Sequence, residues 1–493
     1  MYLLGFDIGS SSVKAALVNA KTNETIAVVQ YPSREMPIDS PQSGWAEQDP
    51  AVWWNCVCKA SKKVLKKAPE AKGKIKGIGI AYQMHGLVCL DKNRDVLRPS
   101  IIWCDSRAVE IGNAAFAEIG EEKCLSHLLN SPGNFTASKL KWVKENESAV
   151  FEKIDKIMLP GDYIAGKMTD EFVTTVSGLS EGVFWDFKKE EVSKDLSKNY
   201  DFDENLIPEI RPTFSNQGLL SAASAKKMGL SEGIPITYRA GDQPNNALAL
   251  NALAPGEVAA TGGTSGVVYG VVDKPAFDPK SRVNGFAHVN HTAENPRIGV
   301  LLCINGTGIQ YSWLRQQIGT KSTSYNQLEK LAAQIPVGAD DLIMLPFGNG
   351  AERVLENKNI GAQVLNLNFN RHEKGHLVRA CLEGIAFSFV YGLKIMRDMG
   401  MNLSVIRVGN DNLFQSRIFS QTISNLTGAK IEMMQTTGAV GAAKAAGVGA
   451  GIFKTPKEAM GSNELVEIFK PEKEVGAYQT AYEKWEIELK KFI

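Results

Sequence analysis

The sequence predicts an α/β protein of two domains built to one design. Three observations carry this. The chain has 493 residues, more than one ordinary hydrophobic core accommodates, so it divides. Short apolar runs alternate with helical patterns along its whole length, the signature of sheets fed by crossover helices. One local pattern, strand, Gly/Ser/Thr turn, strand, occurs at residues 2–18 and again at 258–272, which suggests that each domain opens with a hairpin.

The elements follow in order. Tyr2 to Asp7 is a buried strand, Ile8-Gly9-Ser10-Ser11-Ser12 a tight turn, and Val13 to Val18 the returning strand. Pro50 to Lys67 is a helix whose inner face carries Trp53 and Trp54, while Lys62, Lys63, Lys66 and Lys67 form its solvated face. Ile75 to Ala81 is a strand, and so is Ile234 to Ala240, which runs into Gly241-Asp242. The chain passes between domains near there, giving expected domains 1–248 and 249–493. Val258 to Thr261, the turn Gly262-Gly263-Thr264-Ser265-Gly266 and Val267 to Val272 repeat the opening hairpin. No Pro-rich or Gly/Ser-rich linker separates the halves, so they are expected to share an extensive interface.

Composition narrows the function. Lys plus Arg total 55 and Asp plus Glu 54, a formal net charge of +1, so no global field attracts nucleic acid or an anionic membrane surface. A polyanionic ligand must be held locally. The first apolar run has no basic region ahead of it, which reads as a strand rather than a signal peptide. No stretch approaches the roughly 20 apolar residues of a membrane span. The seven cysteines, at 56, 58, 89, 104, 124, 303 and 381, form no CxxC pair and no regular framework, the usage of reduced thiols in a cytoplasmic protein.

Gly161-Asp162-Tyr163-Ile164-Ala165-Gly166-Lys167-Met168 fits the spacing of a phosphate-binding P-loop. Met168, however, stands where a hydroxyl should reach Mg²⁺, and Asp162 would set negative charge beside the phosphates. Asp162 is read instead as a helix N-cap after Pro160-Gly161. The two hairpin turns are the better cradle, because small residues admit a phosphate close to backbone N–H groups. Asp7 beside the first turn could hold Mg²⁺ directly or through water.

Asp7-Ile8-Gly9-Ser10-Ser11-Ser12-Val13-Lys14 resembles the opening of the actin-like sugar kinases, and Gly44-Trp45-Ala46-Glu47-Gln48-Asp49-Pro50 with Trp53-Trp54 narrows the resemblance to the FGGY carbohydrate kinases. It continues in order along nearly the whole chain, through the Trp103-Cys104-Asp105-Ser106-Arg107 segment, Lys139 to Asn146, Leu345-Pro346 with Gly350 to Arg353, and Arg379 to Ala386. Gln83-Met84-His85-Gly86 is similar to the xylulokinase branch, whereas glycerol kinases carry Arg-Glu at Met84 and His85.

The resemblance implies two actin-like, ribonuclease-H-like domains around an interdomain cleft. Sugar would bind on the first domain and ATP mainly on the second, with Mg²⁺. It implies Asp242 as the catalytic base, Asp7 as the metal organiser, and Met84, His85 and Gln243 as sugar contacts, with Trp103 and Asp105 either shaping the sugar pocket or bracing it. Gly9, Ser10, Ser11, Ser12 and Lys14 in the first turn, Gly263, Thr264 and Ser265 in the second, and Gly409 and Asn410 would hold the nucleotide. The reaction expected is phosphorylation of a ketose, D-xylulose first. Another sugar, a polyol or an aldonate is the alternative, and a sugar sensor without turnover the reading outside enzymes. A homodimer is the family expectation. Two departures stand out: Val408 to Ser416 replaces the family's usual Gly-rich loop, and Gln243 stands where xylulokinases commonly carry Asn.

Overall fold

The computed structural model describes residues 1–320 and 322–493. The first half builds on β1 (Tyr2–Ile8), β2 (Val13–Asn19) and β3 (Thr25–Tyr31), followed by α1 (Pro50–Lys67), β4 (Ile75–Tyr82), α2 (Thr136–Asn146), α3 (Pro160–Thr169) and α4 (Val176–Glu181). It ends with β5 (Ile236–Gly241) and α5 (Asp242–Ala249). The five strands form one sheet in the order β3-β2-β1-β4-β5. The first three pair antiparallel, and β4 and β5 run parallel to β1.

The second half repeats this plan. It comprises β6 (Glu257–Gly262), β7 (Gly266–Val272), β8 (Asn284–Ala287), β9 (Ile298–Ile304), α6 (Thr307–Ile318), α7 (Tyr325–Ala332), α8 (Lys374–Asp398), β10 (Val405–Gly409), α9 (Arg417–Thr427), β11 (Lys430–Gln435), α10 (Gly438–Gly449), β12 (Glu464–Phe469) and α11 (Gly476–Lys490). The sheet order is β8-β9-β7-β6-β10-β11-β12. Its inner strands β9-β7-β6-β10-β11 reproduce both the order and the strand senses of the first sheet. The duplicated hairpins are therefore the visible ends of a duplicated ribonuclease-H-like fold.

Local chemistry explains the elements. Asp49 caps α1 by accepting the Ala51 N–H at 2.8 Å, and Pro50 occupies the first helical turn. Strand β1 has helices on both faces, so its sequence is a continuous apolar run rather than an alternating one. One of those helices is α10, which comes from the end of the chain and lies across β1 and β4. A Cβ on Gly5 would collide with the Ala439 carbonyl, and one on Gly79 with the Ala442 carbonyl. The small residues of Gly438–Gly449 thus serve backbone-to-backbone approach, and α10 belongs by packing to the first sheet although it lies late in the sequence.

Two expectations are corrected. Asp162 does not cap a helix: α3 begins at Pro160, and Asp162 is buried within its first turn, 3.4 Å from Arg239 Nε and accepting the Thr174 hydroxyl at 2.8 Å. The P-loop-like segment is accordingly a buried helix and no loop at all. Contrary to the membrane reading, one described helix, α8, is long and apolar enough to cross a bilayer by length and composition. It is the buried central helix of the second half, packed on α7, α9 and α11.

Candidate active site

Parallel pairing carries the ends of β1, β4 and β5 to one edge of the first sheet. Asp7 is level with Ala81, and Ala81 with Ala240, so Asp7, the turn Gln83-Met84-His85 and Asp242 emerge together. This is where ligands of open α/β sheets bind. Asp242 is the first residue of α5. The Asp7 carboxylate lies at the start of α10, where a Cβ on Gly438 would come within 2.7 Å of Asp7 Oδ2. Burial raises the Asp7 carboxyl, with Lys14 opposing. Burial first, then the charge of Asp7, pushes Asp242 up to about 7, against hydrogen bonding from Gln243. Two carboxylates in one pocket thus leave Asp242 able to hold or release a proton near neutral pH.

Beside them, Met84 is buried against Gly241, and His85 adopts a left-handed backbone, φ 62°, ahead of Gly86. His85 Nδ1 is 2.8 Å from the Glu181 carbonyl oxygen. A carbonyl only accepts, so Nδ1 carries the proton and Nε2 is left as an acceptor. Burial, and then the Lys139 charge, hold the imidazole down at about 3, so it stays neutral. Its ring packs edge-on to Phe135 at 4.8 Å and against Phe286 of β8 at 5.6 Å, which makes this wall from both halves of the chain. Gln243 is half-buried next to Asp242.

The two residues left open in the sequence separate here. Trp103 is 54% exposed, with Nε1 3.4 Å from Ser10 Oγ, so it stands over the first turn. Asp105 is fully buried and its carboxylate is already occupied, by the Ala46 N–H at 2.5 Å and by Arg107 Nη2 at 2.7 Å. Of the two roles left open, the contacts fit bracing: Asp105 holds Arg107, whose guanidinium stacks on Trp45 at 3.8 Å. Sequence reasoning also gave no role to Lys139. Its ammonium donates to the carbonyls of His85 at 2.9 Å and Ile102 at 3.0 Å, tying the His85 turn to the Trp103 segment. The available signal was a lysine on the apolar stripe of α2, in line with Leu140 and Val143.

On the second half, a cavity of about 1010 Å³ opens beside the second turn. Gly262, Gly263 and Thr264 form one side, the α6 residues Gly308 and Trp313 another, and Tyr325 of α7 a third. The turn is held by α6, whose Gly308 N–H donates to the Gly263 carbonyl at 3.0 Å. Ser265 Oγ donates to Asn305 Oδ1 at 3.0 Å. The first turn is closed by the Gly9 N–H on the Ser12 carbonyl at 3.0 Å, with Ser11 and Lys14 exposed. Gly409 and Asn410, expected to hold the nucleotide, do not line this cavity. The cavity wall is Asn412, Leu413, Gln415 and Ser416, while the Asn410 N–H bonds the Met434 carbonyl and its amide bonds Gln435. The altered loop takes a short turn of helix, Asn412–Gln415, and that turn faces the cavity.

The N-terminal domain of the FGGY family of carbohydrate kinases matches residues 2–249, and its C-terminal domain matches residues 258–450. The chain belongs to this family. It is an ATP-dependent carbohydrate kinase. Among its relatives is the xylulose kinase of Escherichia coli (strain K12), 28% identical over 93% of this chain and 91% of that one. The xylulose kinase of Bacillus subtilis (strain 168) is also 28% identical, over 93% and 90%. The kinase superposes on the crystal structure of xylulose kinase from Rhodospirillum rubrum with TM-score 0.89 and 26% identity, covering 100% and 99% of the two chains. It shares the fold of glycerol kinase from Plasmodium falciparum solved with ADP, at TM-score 0.89 and 20% identity.

Proposed function

We propose that the kinase transfers the γ-phosphoryl group of ATP to the terminal hydroxyl of D-xylulose, with Asp242 as general base. The observation that carries the proposal is the meeting of Asp7, Asp242 and the Met84-His85 turn at one sheet edge. The xylulose kinases among its relatives supply the sugar. As the sugar oxygen bonds to the γ-phosphorus, the bond from that phosphorus to the bridging oxygen breaks. The hydroxyl proton passes to Asp242 and ADP leaves. His85 Nε2 accepts a hydrogen bond from a second sugar hydroxyl, the Met84 backbone and Gln243 flank it, and Trp103 covers the opening.

We assign residues 1–248 to sugar and 249–493 to nucleotide. The turns at Gly9–Ser12 and Gly263–Ser265 take the phosphates, and the cavity bounded by Trp313, Tyr325 and Asn412 takes the adenosine. Asp7 forms no salt bridge among the described residues and suits Mg²⁺, which needs one or two carboxylates beside water and phosphate oxygens. The ion would neutralise phosphate charge. The test is a coupled ADP-release assay across D-xylulose, D-ribulose, gluconate and glycerol. D-Xylulose should give the highest kcat/KM. A higher value for any other substrate overturns the sugar assignment, and no turnover of any of them favours a sensor.

A further inference from the structure

Glu181, the last residue of α4, is completely buried and forms no salt bridge among the described residues, with only the His85 backbone N–H and the Tyr82 hydroxyl as donors toward its carboxyl. Its side chain lies against Gly241, the residue that precedes Asp242. A Cβ placed on Gly241 would collide with Glu181 Oε2 and stand 2.6 Å from Met84 Cγ. Carboxyl, strand end and Met84 therefore touch at one point. From the same residue, the backbone carbonyl receives His85 Nδ1–H at 2.8 Å. One residue thus contacts three parts of the site without facing the cleft.

The charges around it decide its state. Asp242 and Asp162 are the neighbouring carboxylates, and both oppose a further negative charge. The cation of this layer, Arg239, is turned to Asp162 at 3.4 Å. Tyr82, whose hydroxyl is turned to the Glu181 carboxyl, and Tyr269 complete the surroundings. Burial first, then the charges of Asp242 and Asp162, raise the Glu181 carboxyl well above the usual carboxylate range, against hydrogen bonding from the His85 backbone and Tyr82.

We propose that Glu181 is a positioning residue of this kinase, whose side chain sets the spacing between the Asp242 strand end and Met84 while its carbonyl orients His85. The inference rests on the reading that Asp242 and His85 act on the sugar. Glutamine matches its shape and keeps an acceptor, whereas alanine leaves Gly241 and Met84 without support.

The experiment compares Glu181→Gln, Glu181→Ala and Asp242→Asn in the full chain, using MgATP and whichever sugar of the panel is turned over best. Glu181→Gln should stay within about threefold of wild type in kcat and in sugar KM, and Glu181→Ala should lose about tenfold or more in sugar kcat/KM with the KM for ATP within about twofold. Should the alanine protein fail to fold, Glu181→Asp takes its place with the same expectation. The inference is overturned if glutamine falls as far as alanine, if alanine leaves the sugar parameters unchanged, or if ATP and sugar parameters fall together. The Asp242→Asn protein separates the two levels. Activity there removes the base assignment itself, whereas an inactive Asp242→Asn protein beside an unaffected Glu181→Ala protein removes only the role of Glu181.

Discussion

Replacing Asp242 by asparagine should abolish turnover and stabilise the fold, and the second effect grows with pH. The carboxyl moves from 3.8 in an unperturbed chain to about 7 in the folded protein. Between those values the folded state binds the proton that the unfolded state has released, so stability falls as pH rises through this window. At about 1.4 kcal/mol per unit, the cost of burying Asp242 is about 2 kcal/mol at pH 5 and about 4 kcal/mol at pH 8. Asparagine carries no such cost. Partial exposure to water reduces the difference, leaving the variant's advantage to widen by about 1–2 kcal/mol between pH 5 and pH 8, or a few degrees in Tm. The assay is thermal unfolding of both proteins at pH 5, 6, 7 and 8, without nucleotide. A variant less stable than wild type at pH 8, or an advantage that shrinks as pH rises, refutes the reasoning.

The same carboxyl sets the activity profile: kcat/KM of the wild type should fall about tenfold per pH unit below about 7, as the base is protonated, and a flat rate from pH 5.5 to 8 contradicts it. His85→Leu should raise sugar KM by about 10- to 100-fold through loss of one buried acceptor, with ATP KM unchanged in initial-rate kinetics. The His85 imidazole, held at about 3, should show no NMR titration between pH 5 and 8. Lys139→Met leaves the His85 and Ile102 carbonyls without their donor and should cost about 2–5 kcal/mol in urea unfolding, with weaker sugar binding. Gly79→Ala drives a methyl group into the Ala442 carbonyl and should cost about 3 kcal/mol or more, also read by urea unfolding.

The elements and the family were legible in the residues alone. Strand β1 showed because covered strands are apolar on both faces, helix α1 because Trp53 and Trp54 lie opposite a lysine face after Pro50, and the repeated hairpins announced a duplicated fold. These signals are local, written within a few residues of the feature they describe. Long-range packing alone shows that Asp162 pairs with Arg239, that Asp105 braces Arg107 and the Ala46 N–H, and that α10 crosses to the first sheet. It likewise turned α8, apolar enough for a membrane, into a core helix, and put Asn412, Leu413, Gln415 and Ser416 rather than Asn410 on the cavity. The physical reason is that a side chain's role depends on which distant backbone reaches it. Glu181 and Asp242 lie 61 positions apart in the chain, and nothing near either one encodes that Gly241 lets them meet.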